Sequence, residues 1–491
     1  MDDDEYCPAP AFQFLHSHLA MAPALKIRNY TTIPLELKKV ERFNAEKVSR
    51  GDALTNVKGV ITSFINATDF ATKELKPKGD SRESQDVSHR VEPFQTANTG
   101  LPAAEPKVEV LRLTFEGNGH RYLANAPGPL NHSQTMERLD GGAEKFTTVY
   151  VAGEGLLAIF SSSKLEAWMG ELHDDLPLSV LSIPGTHNSP TCHVALPSVR
   201  CQVAGVREQL DNGVRFLDVR VSADPDNDNM TLVHSAFPIS LTGSKYFSDL
   251  LAECYAFLEA NPSEVLLMSV KREGTGRGSD QQMSRHLKGR FINRNQARWI
   301  TSEHIPSLGE ARGKIVLVRR FVVDNDVRKE SGGSFGIDAQ SWPDNCEDGT
   351  VGGGLIRVQD FYEIDQSTNI EKKISFSCAQ LERAAALRHE RCAPAQRDRA
   401  KDKDIPFFVN FLTASNFFNA TCWPERIAAK VNPRVIEYLC TRHGIEGKGE
   451  KGLAVGDAGT GIVVTDWVGA HGDWDLIRCV VGMNARLIGQ K

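Results

Sequence analysis

The sequence predicts an α/β fold in which a (β/α) barrel follows a smaller all-β domain. Seven continuous apolar runs occupy the second two-thirds of this chain of 491 residues. Such runs are typical of strands that are buried on both faces of a parallel sheet. Helical stretches separate the runs, and this alternation favours parallel strands. Each run ends on a polar residue, and the carboxyl ends of the strands are where a barrel of this kind builds its functional site.

The first third of the chain predicts antiparallel strands. Residues 108–126 and 145–163 alternate apolar and polar residues around turns that contain Gly and Asn, and a hairpin-like turn is expected at Gly117–Gly119. The segment 56–70 has a similar pattern. We therefore expect an all-β, sandwich-like accessory domain over residues 26–163.

Two segments of this first third lack such a pattern. Residues 1–25 contain Pro and Ala without a sustained period, and we expect them to be disordered. Residues 72–106 are rich in Lys, Glu, Ser and Pro with few large apolar side chains, which indicates loop or mobile structure.

The barrel is predicted over residues 164–491. Its seven apolar runs carry the following polar residues at or near their ends: 181–189 with His187, 213–221 with Asp218 and Arg220, 231–235 with His234, 263–273 with Lys271, 313–321 with Arg319 and Arg320, 355–363 with Asp360 and Tyr362, and 461–469 with Asp466. Residues 206–213 and 246–262 have helical spacing of their apolar residues. The charged inserts 389–404 and 443–460 are expected to be surface loops.

Composition limits the classes of partner. A net charge of −6 provides no general basic field for nucleic acid. The ten cysteines form no CxxC pair and have no histidine at zinc-ligand spacing, so free thiols are expected. The acidic N-terminus does not resemble a secretory signal, and no run of about 18 apolar residues occurs. These last two features predict a protein that is cytoplasmic or peripherally bound to a membrane. A monomer is expected.

Two histidines and an arginine suggest phosphoryl transfer. His187 follows a strand and a Pro-Gly turn, where a lone histidine is ordinarily held by local hydrogen bonds. His234 ends a later strand, and Arg220 ends the strand between them. Two imidazoles can act as base and acid near neutral pH. An arginine can neutralise a phosphate through bidentate contacts.

The segments LSIPGTHNS, GVRFLDVRV, LVHS, NPSEVLLMSVKRE, ARGKIVLVRRF, WPDN, VQDFY and GIVVTDW, in this order, resemble the bacterial-type phosphatidylinositol-specific phospholipases C. The resemblance covers about residues 165–491 and is silent on the β region. It implies a distorted TIM-like (β/α) barrel. It also implies cleavage of phosphatidylinositol, or of a glycosylated form, to diacylglycerol and cyclic inositol phosphate.

The resemblance also implies a role for each residue of the site. His187 would be the general base that activates the inositol 2-hydroxyl, and His234 would protonate the departing oxygen. Arg220 would stabilise the phosphate charge, and Asp466 would orient His187 and favour its imidazolium form. Asp218 is expected to share the face of Arg220, either at the phosphate site or as an ion-pair partner.

The inositol ring would be bound by four further residues. The resemblance assigns Lys271, Arg320, Asp360 and Tyr362 to this role, and it favours Arg320 over its neighbour Arg319, which is expected to point away. Cations and a carboxylate suit a ring of hydroxyls because each hydroxyl both donates and accepts hydrogen bonds.

Asn188 departs from the family pattern, in which aspartate usually follows this histidine and partners the general acid. An amide could still orient His234 but would contribute no negative charge. This interpretation predicts a weaker or acid-shifted enzyme, and it predicts that Asn188→Asp raises the activity or shifts the pH optimum upward.

No cofactor is expected. The calcium-dependent relatives also carry His-Asn at this point, but they need acidic residues where this chain has Arg220. A cation there would take over the electrostatic role of calcium. The resemblance therefore favours metal independence, with calcium as the alternative.

The expected partners are the phosphatidylinositol headgroup and, transiently, a membrane surface. Four tryptophans suit either a membrane interface or core packing: Trp342, Trp423, Trp467 and Trp474. Two other functions remain open. One is a different barrel phosphodiesterase, such as a glycerophosphodiesterase, and the other is a phosphoinositide-binding barrel without turnover.

Overall fold

The computed structural model describes most of the chain: residues 23–49, 73–128, 133–142, 144–162, 164–227, 229–389 and 405–488. The predicted strand at 56–70, residues 1–22 and most of the insert at 389–404 lie outside the described residues.

The N-terminal region consists of β-strands. They are β1 (Ala24–Asn29), β2 (Leu35–Ser49), β3 (Lys73–Val91), β4 (Thr96–Pro102), β5 (Glu109–Gly117), β6 (His120–Ala126), β7 (Ser133–Thr135), β8 (Glu137–Arg138), β9 (Phe146–Val151) and β10 (Leu156–Ser161). They form two five-stranded sheets, in the orders β4-β1-β10-β9-β7 and β3-β2-β5-β6-β8. The all-β character predicted for this region is confirmed, and the predicted turn at Gly117–Gly119 joins β5 to β6.

One hydrophobic core joins the two sheets. Leu25 and Ile27 of the first sheet and Leu37, Leu113 and Phe115 of the second belong to it, and all five are fully buried. They alternate along their strands with less buried residues, which is the period of two that a sheet buried on one face requires.

The loop prediction for residues 72–106 was wrong. β3 and β4 lie there, and β3 pairs antiparallel with β2 along almost its whole length. β3 is an edge strand whose described side chains are mostly exposed on both faces. Its backbone hydrogen bonds need no apolar side chains, so the sequence shows no alternation of apolar and polar residues. The expected disorder of residues 1–25 is likewise wrong at its end, because β1 begins at Ala24.

The second region alternates strands and helices. Its strands are β11 (Ile183–Thr186), β12 (Phe216–Ser222), β13 (Thr231–His234), β14 (Phe237–Pro238), β15 (Leu266–Arg272), β16 (Trp299–Ile300), β17 (Ile315–Arg320), β18 (Ile337–Asp338), β19 (Gly349–Val351), β20 (Ile356–Gln359), β21 (Phe407–Phe411) and β22 (Ile462–Thr465). Its helices are α1 (Val206–Asp211), α2 (Phe247–Ala260), α3 (Asp280–His286), α4 (Leu308–Ala311), α5 (Asn325–Glu330), α6 (Ile370–Ala385), α7 (Pro424–Thr441), α8 (Asp475–Gly482) and α9 (Ala485–Ile488). None of the helices within the described ranges is both long and apolar enough to cross a membrane.

The strands form one mixed sheet with a parallel centre. Its order is β16-β17-β15-β12-β11-β22-β21-β20-β19, and neighbouring strands from β16 to β20 run parallel. β16 and β19 are the two ends of this order, so strand pairing among the described residues does not close the sheet. The mixed α/β architecture is therefore confirmed.

Two strands differ from the sequence expectation. The run at 231–235 was expected to be another strand of the parallel series, but β13 pairs antiparallel with the end of β12 and then with β14. β12 and β13 thus form a ribbon that returns His234 to the carboxyl end of the sheet. β21 was not predicted, although Phe407–Phe411 is a buried run of aromatic and apolar residues around one asparagine.

The β region packs directly against helices of the second region. The ring of Tyr30 stacks on that of Phe160 with centroids 4.7 Å apart, and both rings share a core with residues of α6, α7 and α8. The hydroxyl of Tyr30 donates a hydrogen bond to the carbonyl of Leu439 in α7. Ser133 hydrogen-bonds to Asp475 at the start of α8.

Candidate active site

A polar cavity of about 300 Å³ opens at the carboxyl ends of the parallel strands. It is lined by His187, Arg220, His234, Ser235, Lys271, Glu273, Arg320, Gln340, Trp342, Pro343, Asp344, Asp360, Tyr362, Thr413, Ala414 and Ser415. Seven of the ten residues to which the resemblance assigned a role therefore line one cavity. The other three, Asn188, Asp218 and Asp466, are buried and do not line it.

His187 follows the last residue of β11 and is held by a buried carboxylate. Its Nδ1 lies 2.9 Å from Oδ1 of Asp466, which follows β22. β11 and β22 are neighbours in the sheet, so the polar residue after each one falls at the same level. Burial raises the pKa of Asp466, although His187 opposes this effect. The contact leaves Nε2 of His187 available to the cavity.

His234 ends β13 and lies beside His187 in the lining of the cavity. The two ring centroids lie 5.7 Å apart, and the planes are nearly perpendicular. Nδ1 of His234 lies 2.7 Å from the carbonyl oxygen of Val199, which fixes the ring and leaves Nε2 for other contacts. Burial, together with the nearby His187 and Arg220, lowers the pKa of His234 to about 4.

Arg220 lies in a network of fixed charges. Its guanidinium contacts Oδ2 of Asp218 at 3.1 Å and Oε1 of Glu273 at 3.0 Å. Burial opposes charge on both carboxylates, but the neighbouring cations outweigh it. The pKa of Asp218 lies well below its usual range, and that of Glu273 is lowered to about 2. Asp218 is thus an ion-pair partner rather than a cavity-lining residue, as the second of the two sequence interpretations had it.

Two further cations reach the cavity from β15 and β17. Nζ of Lys271 lies 2.8 Å from Oε1 of Glu273. The guanidinium of Arg320 lies over the ring of Trp342, 4.0 Å from its centroid. Arg319 points to the other face of the strand and pairs with Asp338, as residues that alternate along a strand must.

Two aromatic residues that line the cavity take part in hydrogen bonds. Nε1 of Trp342 donates to Oδ2 of Asp360, and the hydroxyl of Tyr362 donates to Oδ1 of Asp344. Burial and Asp344 raise the pKa of Tyr362, so the phenol stays protonated and available as a donor.

The expected contact between Asn188 and His234 is wrong. The Asn188 side chain is fully buried, and neither of its polar atoms has a hydrogen-bond partner in the described structure. Its backbone has a positive φ of 44° and donates its N–H to Asp218. Nδ1 of His234 contacts the Val199 carbonyl instead. The prediction that Asn188→Asp activates the protein therefore loses its basis.

Sequence reasoning missed Glu273 and Gln202. Glu273 bridges Arg220, Lys271 and the backbone N–H of Ser235. Glu273 could have been predicted from the sequence. Residues two apart on a strand share a face, and Glu273 follows Lys271 at that spacing. Gln202 donates to the carbonyls of His187 and Thr465, and no strand pattern marks its loop.

The described residues that could jointly hold a metal ion are His187, Cys201 and His234. No carboxylate belongs to this group, so it does not provide the oxygen ligands that calcium prefers. The cavity can instead move protons at two imidazoles that lie near a guanidinium, and it can bind an anion beside Arg220.

Comparison with known proteins gives a family for this region. Residues 175–321 match the family "Phosphatidylinositol-specific phospholipase C, X domain". A 1-phosphatidylinositol phosphodiesterase of Listeria monocytogenes is 32% identical over 170 residues, which cover 33% of this chain and 50% of that relative. A 1-phosphatidylinositol phosphodiesterase of Staphylococcus aureus is 25% identical over 327 residues, which cover 63% of this chain and 90% of the relative.

A solved structure shares the fold. The phosphatidylinositol-specific phospholipase C of Staphylococcus aureus, solved in a study of its membrane binding, superposes with a TM-score of 0.50 at 21% identity. The match covers 65% of this chain and 97% of that structure. The chain described here is thus similar to bacterial 1-phosphatidylinositol phosphodiesterases, and its residues 175–321 match the X-domain family.

Proposed function

We propose that this protein cleaves phosphatidylinositol, or its glycosylated form, to diacylglycerol and a cyclic inositol phosphate. The single observation that carries the proposal is the cavity in which His187, His234 and Arg220 converge, inside a segment matched by the X-domain family. The relatives named above are 1-phosphatidylinositol phosphodiesterases, which supports the choice of substrate.

In the proposed reaction, Nε2 of His187 takes the proton of the inositol 2-hydroxyl. That oxygen attacks the phosphorus of the same molecule, so the nucleophile needs no separate binding step. The bond from phosphorus to the diacylglycerol oxygen breaks, and His234 supplies a proton to the departing oxygen. Asp466 holds Nδ1 of His187 and so fixes which nitrogen accepts the proton.

His234 needs help to act as an acid. A pKa of about 4 leaves its ring mostly neutral at pH 7 in the free protein. A bound phosphodiester carries a negative charge, which favours the protonated imidazole and raises this pKa. Arg220 is fixed by Asp218 and Glu273 and is thereby preorganised for the charge that grows on the phosphate oxygens.

The inositol ring is proposed to lie among the cationic, acidic and aromatic residues that line the cavity. Lys271, Arg320, Asp360 and Tyr362 offer donors and acceptors to its hydroxyls. Arg320 ends β17 and Asp360 follows β20, and these two strands lie far apart in the sheet order. That both line one cavity supports a sheet curved into an incomplete, distorted TIM-like barrel.

A cluster of phenylalanines is proposed to contact the membrane beside the cavity. The ring of Phe237 stacks on Phe417 with centroids 5.2 Å apart, and Phe418 is 94% exposed. The cluster adjoins the cavity-lining residues Ser235 and Ser415 in sequence. Exposed apolar side chains at the mouth of a lipid-binding cavity favour contact with a bilayer surface.

We also propose that the reaction needs no metal. Arg220 already supplies a cation at the phosphate position. The nitrogen and sulfur donors near the histidines do not suit calcium, which binds oxygen ligands.

The test measures products from phosphatidylinositol vesicles in the presence of a strong chelator. We expect diacylglycerol and cyclic inositol phosphate to form in equal amounts as phosphatidylinositol is consumed. Glycerophosphoinositol serves as the comparison substrate for a glycerophosphodiesterase. Cleavage of that compound alone, binding of phosphatidylinositol without turnover, or activity that appears only with added calcium would each contradict the proposal.

A further inference from the structure

Cys201 is a buried thiol that lies against both histidines of the candidate active site. One nitrogen from each ring and Sγ of Cys201 lie within 4.8 Å of one another. Sγ is 3.7 Å from Nδ1 of His234. The proposed reaction uses the two imidazoles but gives no role to this thiol.

The rings have the surroundings of metal ligands. Asp466 contacts Nδ1 of His187, and the Val199 carbonyl contacts Nδ1 of His234. A carboxylate or backbone carbonyl on the second nitrogen is the usual partner of a histidine that binds metal through the first nitrogen. At His187 this leaves Nε2 open to an ion. At His234 the thiol lies beside Nδ1, so an ion bound to both would take the place of the Val199 contact.

The backbone fixes the thiol in the same neighbourhood. The N–H of Cys201 donates to Oγ1 of Thr191, and its carbonyl accepts from the N–H of Trp467, next to Asp466. The loop that carries Cys201 is therefore tied to the loop that orients His187. Sulfur and nitrogen ligands would be brought together without unfolding either loop.

We propose that His187, Cys201 and His234 form an inhibitory site for Zn²⁺ and similar borderline-soft divalent ions. Two imidazoles and one thiolate are ligands that Zn²⁺ prefers, and three protein ligands leave a fourth position for water. The cavity lies on the open side of the two rings. Ca²⁺ and Mg²⁺ prefer oxygen and bind poorly to such a set.

Binding changes the protonation of the site in a defined way. The ion replaces the proton of the Cys201 thiol, which leaves to solvent, and it occupies one lone pair on each imidazole. His187 then cannot accept the proton of the inositol 2-hydroxyl, so turnover stops while the ion is bound. This inhibition rests on the proposed function, whereas the binding of the ion does not.

Cobalt provides a test that does not depend on activity. Co²⁺ substitutes for Zn²⁺, and a cysteine ligand gives it a thiolate charge-transfer band in the near ultraviolet. We expect the full chain to show this band on titration with Co²⁺. Cys201→Ser should abolish the band and weaken binding at least about tenfold. Cys192→Ser is the matched control and should behave like the original chain, because Cys192 lies outside the group of three.

A second variant keeps the test decisive if Cys201→Ser fails to fold. His187→Gln should retain the band, because the thiolate remains, but should weaken Co²⁺ binding by a similar factor. Absence of the band in the original chain, or an unchanged titration in the folded variants, would overturn the site.

Inhibition is measured separately on phosphatidylinositol. Micromolar Zn²⁺ should inhibit the original chain and Cys192→Ser at the same concentration, and Cys201→Ser only at least about tenfold higher. A cobalt band without inhibition by Zn²⁺ would overturn the inhibitory role. A chain that binds cobalt but never cleaves phosphatidylinositol would refute the proposed function and leave the metal site standing.

Discussion

At the scale of single residues, the two imidazoles differ in what holds them. A carboxylate contacts Nδ1 of His187, and a neutral carbonyl contacts Nδ1 of His234. A carboxylate stabilises the positive charge that an imidazole gains when it accepts a proton, and a neutral carbonyl stabilises that charge less. This difference agrees with the proposed roles of base for His187 and acid for His234.

We predict that His187→Ala and His234→Ala each lower the turnover of phosphatidylinositol at least about a hundredfold, because each removes one of the two proton transfers. Initial rates under chelator provide the measurement. His304→Ala removes an exposed histidine and should leave the rate unchanged. Near-normal rates in both cavity variants would refute the acid-base assignment.

We predict that an anionic ligand raises the pKa of His234. The free ring should titrate near pH 4, below the ordinary value for histidine, because burial and nearby positive groups disfavour its charged form. Inositol 1-phosphate places negative charge beside it and should move the midpoint upward by at least about one pH unit, or about 1.4 kcal/mol.

NMR titration of the ring nitrogens provides the measurement. His443 is the matched control, because burial also lowers its pKa to about 4 but it does not line the cavity. An unmoved His234, or an equal movement of both rings, would show that the ligand does not bind beside His234.

We predict that Asn188→Asp destabilises the protein. The side chain is buried without hydrogen-bond partners in the described structure, and its backbone touches the ionised Asp218. A new carboxylate there must be protonated or remain buried beside a like charge, which should cost about 1–3 kcal/mol in the free energy of unfolding. Urea unfolding at pH 7 gives the value. Asn188→Gly preserves the positive φ and is the control. A more active, equally stable Asn188→Asp would restore the abandoned pairing with His234.

At the scale of elements, the strand ends were the most predictable part of the site. Apolar runs such as Leu266–Arg272 indicated buried parallel strands, and such strands bring their carboxyl ends to one edge. His187, Arg220, Lys271 and Arg320 were found in this way. The ribbon of β12 and β13 was not predicted, because a run of four residues does not show whether the strand pairs parallel or antiparallel.

Loops were less predictable than strands. The path of residues 187–205 places Val199, Cys201 and Gln202 around the two histidines, but it has no period that the sequence could reveal. The same limit applies to Asn188, whose backbone has a positive φ and whose amide lacks the expected partner. The family resemblance suggested a hydrogen bond between Asn188 and His234, which the described structure does not contain.

We predict that the phenylalanine cluster serves membrane contact rather than catalysis. Tryptophans were expected either at a membrane interface or in the core. Trp474 is buried and Trp342 lines the cavity, whereas Phe418 is almost fully exposed. Phe417→Ser combined with Phe418→Ser should lower vesicle binding and activity on vesicles at least about fivefold, since two large apolar contacts correspond to more than 1 kcal/mol. Activity on a monomeric short-chain substrate should be retained.

Leu453→Ser is the matched control for this prediction. Leu453 is also an exposed apolar residue, but its backbone hydrogen-bonds to Glu382 in α6, away from the cavity. An equal loss of activity on vesicles and on the monomeric substrate would indicate that the phenylalanines act on the site itself.

At the scale of the whole molecule, the β region and the α/β region share a hydrophobic core. The sequence indicated two regions by a change of pattern, but it could not show that Tyr30 and Phe160 pack among α6, α7 and α8. Contacts between distant segments leave no periodic signal in either segment. A fragment that begins near residue 165 would expose this core, so it is a poor probe of the role of the β region.

We predict that Phe160→Ala destabilises the second region although residue 160 lies in β10. Loss of a fully buried ring should lower the free energy of unfolding by about 3–5 kcal/mol. All six tryptophans follow residue 163, so their fluorescence reports on the second region alone. Val108→Ala, at an exposed apolar residue of the β region, is the control. A fluorescence transition that Phe160→Ala leaves unchanged would mean that the two regions unfold independently.

The most direct test of the central claim is a phosphorus NMR time course on soluble short-chain phosphatidylinositol with chelator present. We expect the cyclic phosphodiester to be the first product to appear, in step with loss of substrate, and any open inositol phosphate to follow later. Formation of the open monoester without the cyclic compound, or no cleavage at all, would contradict it.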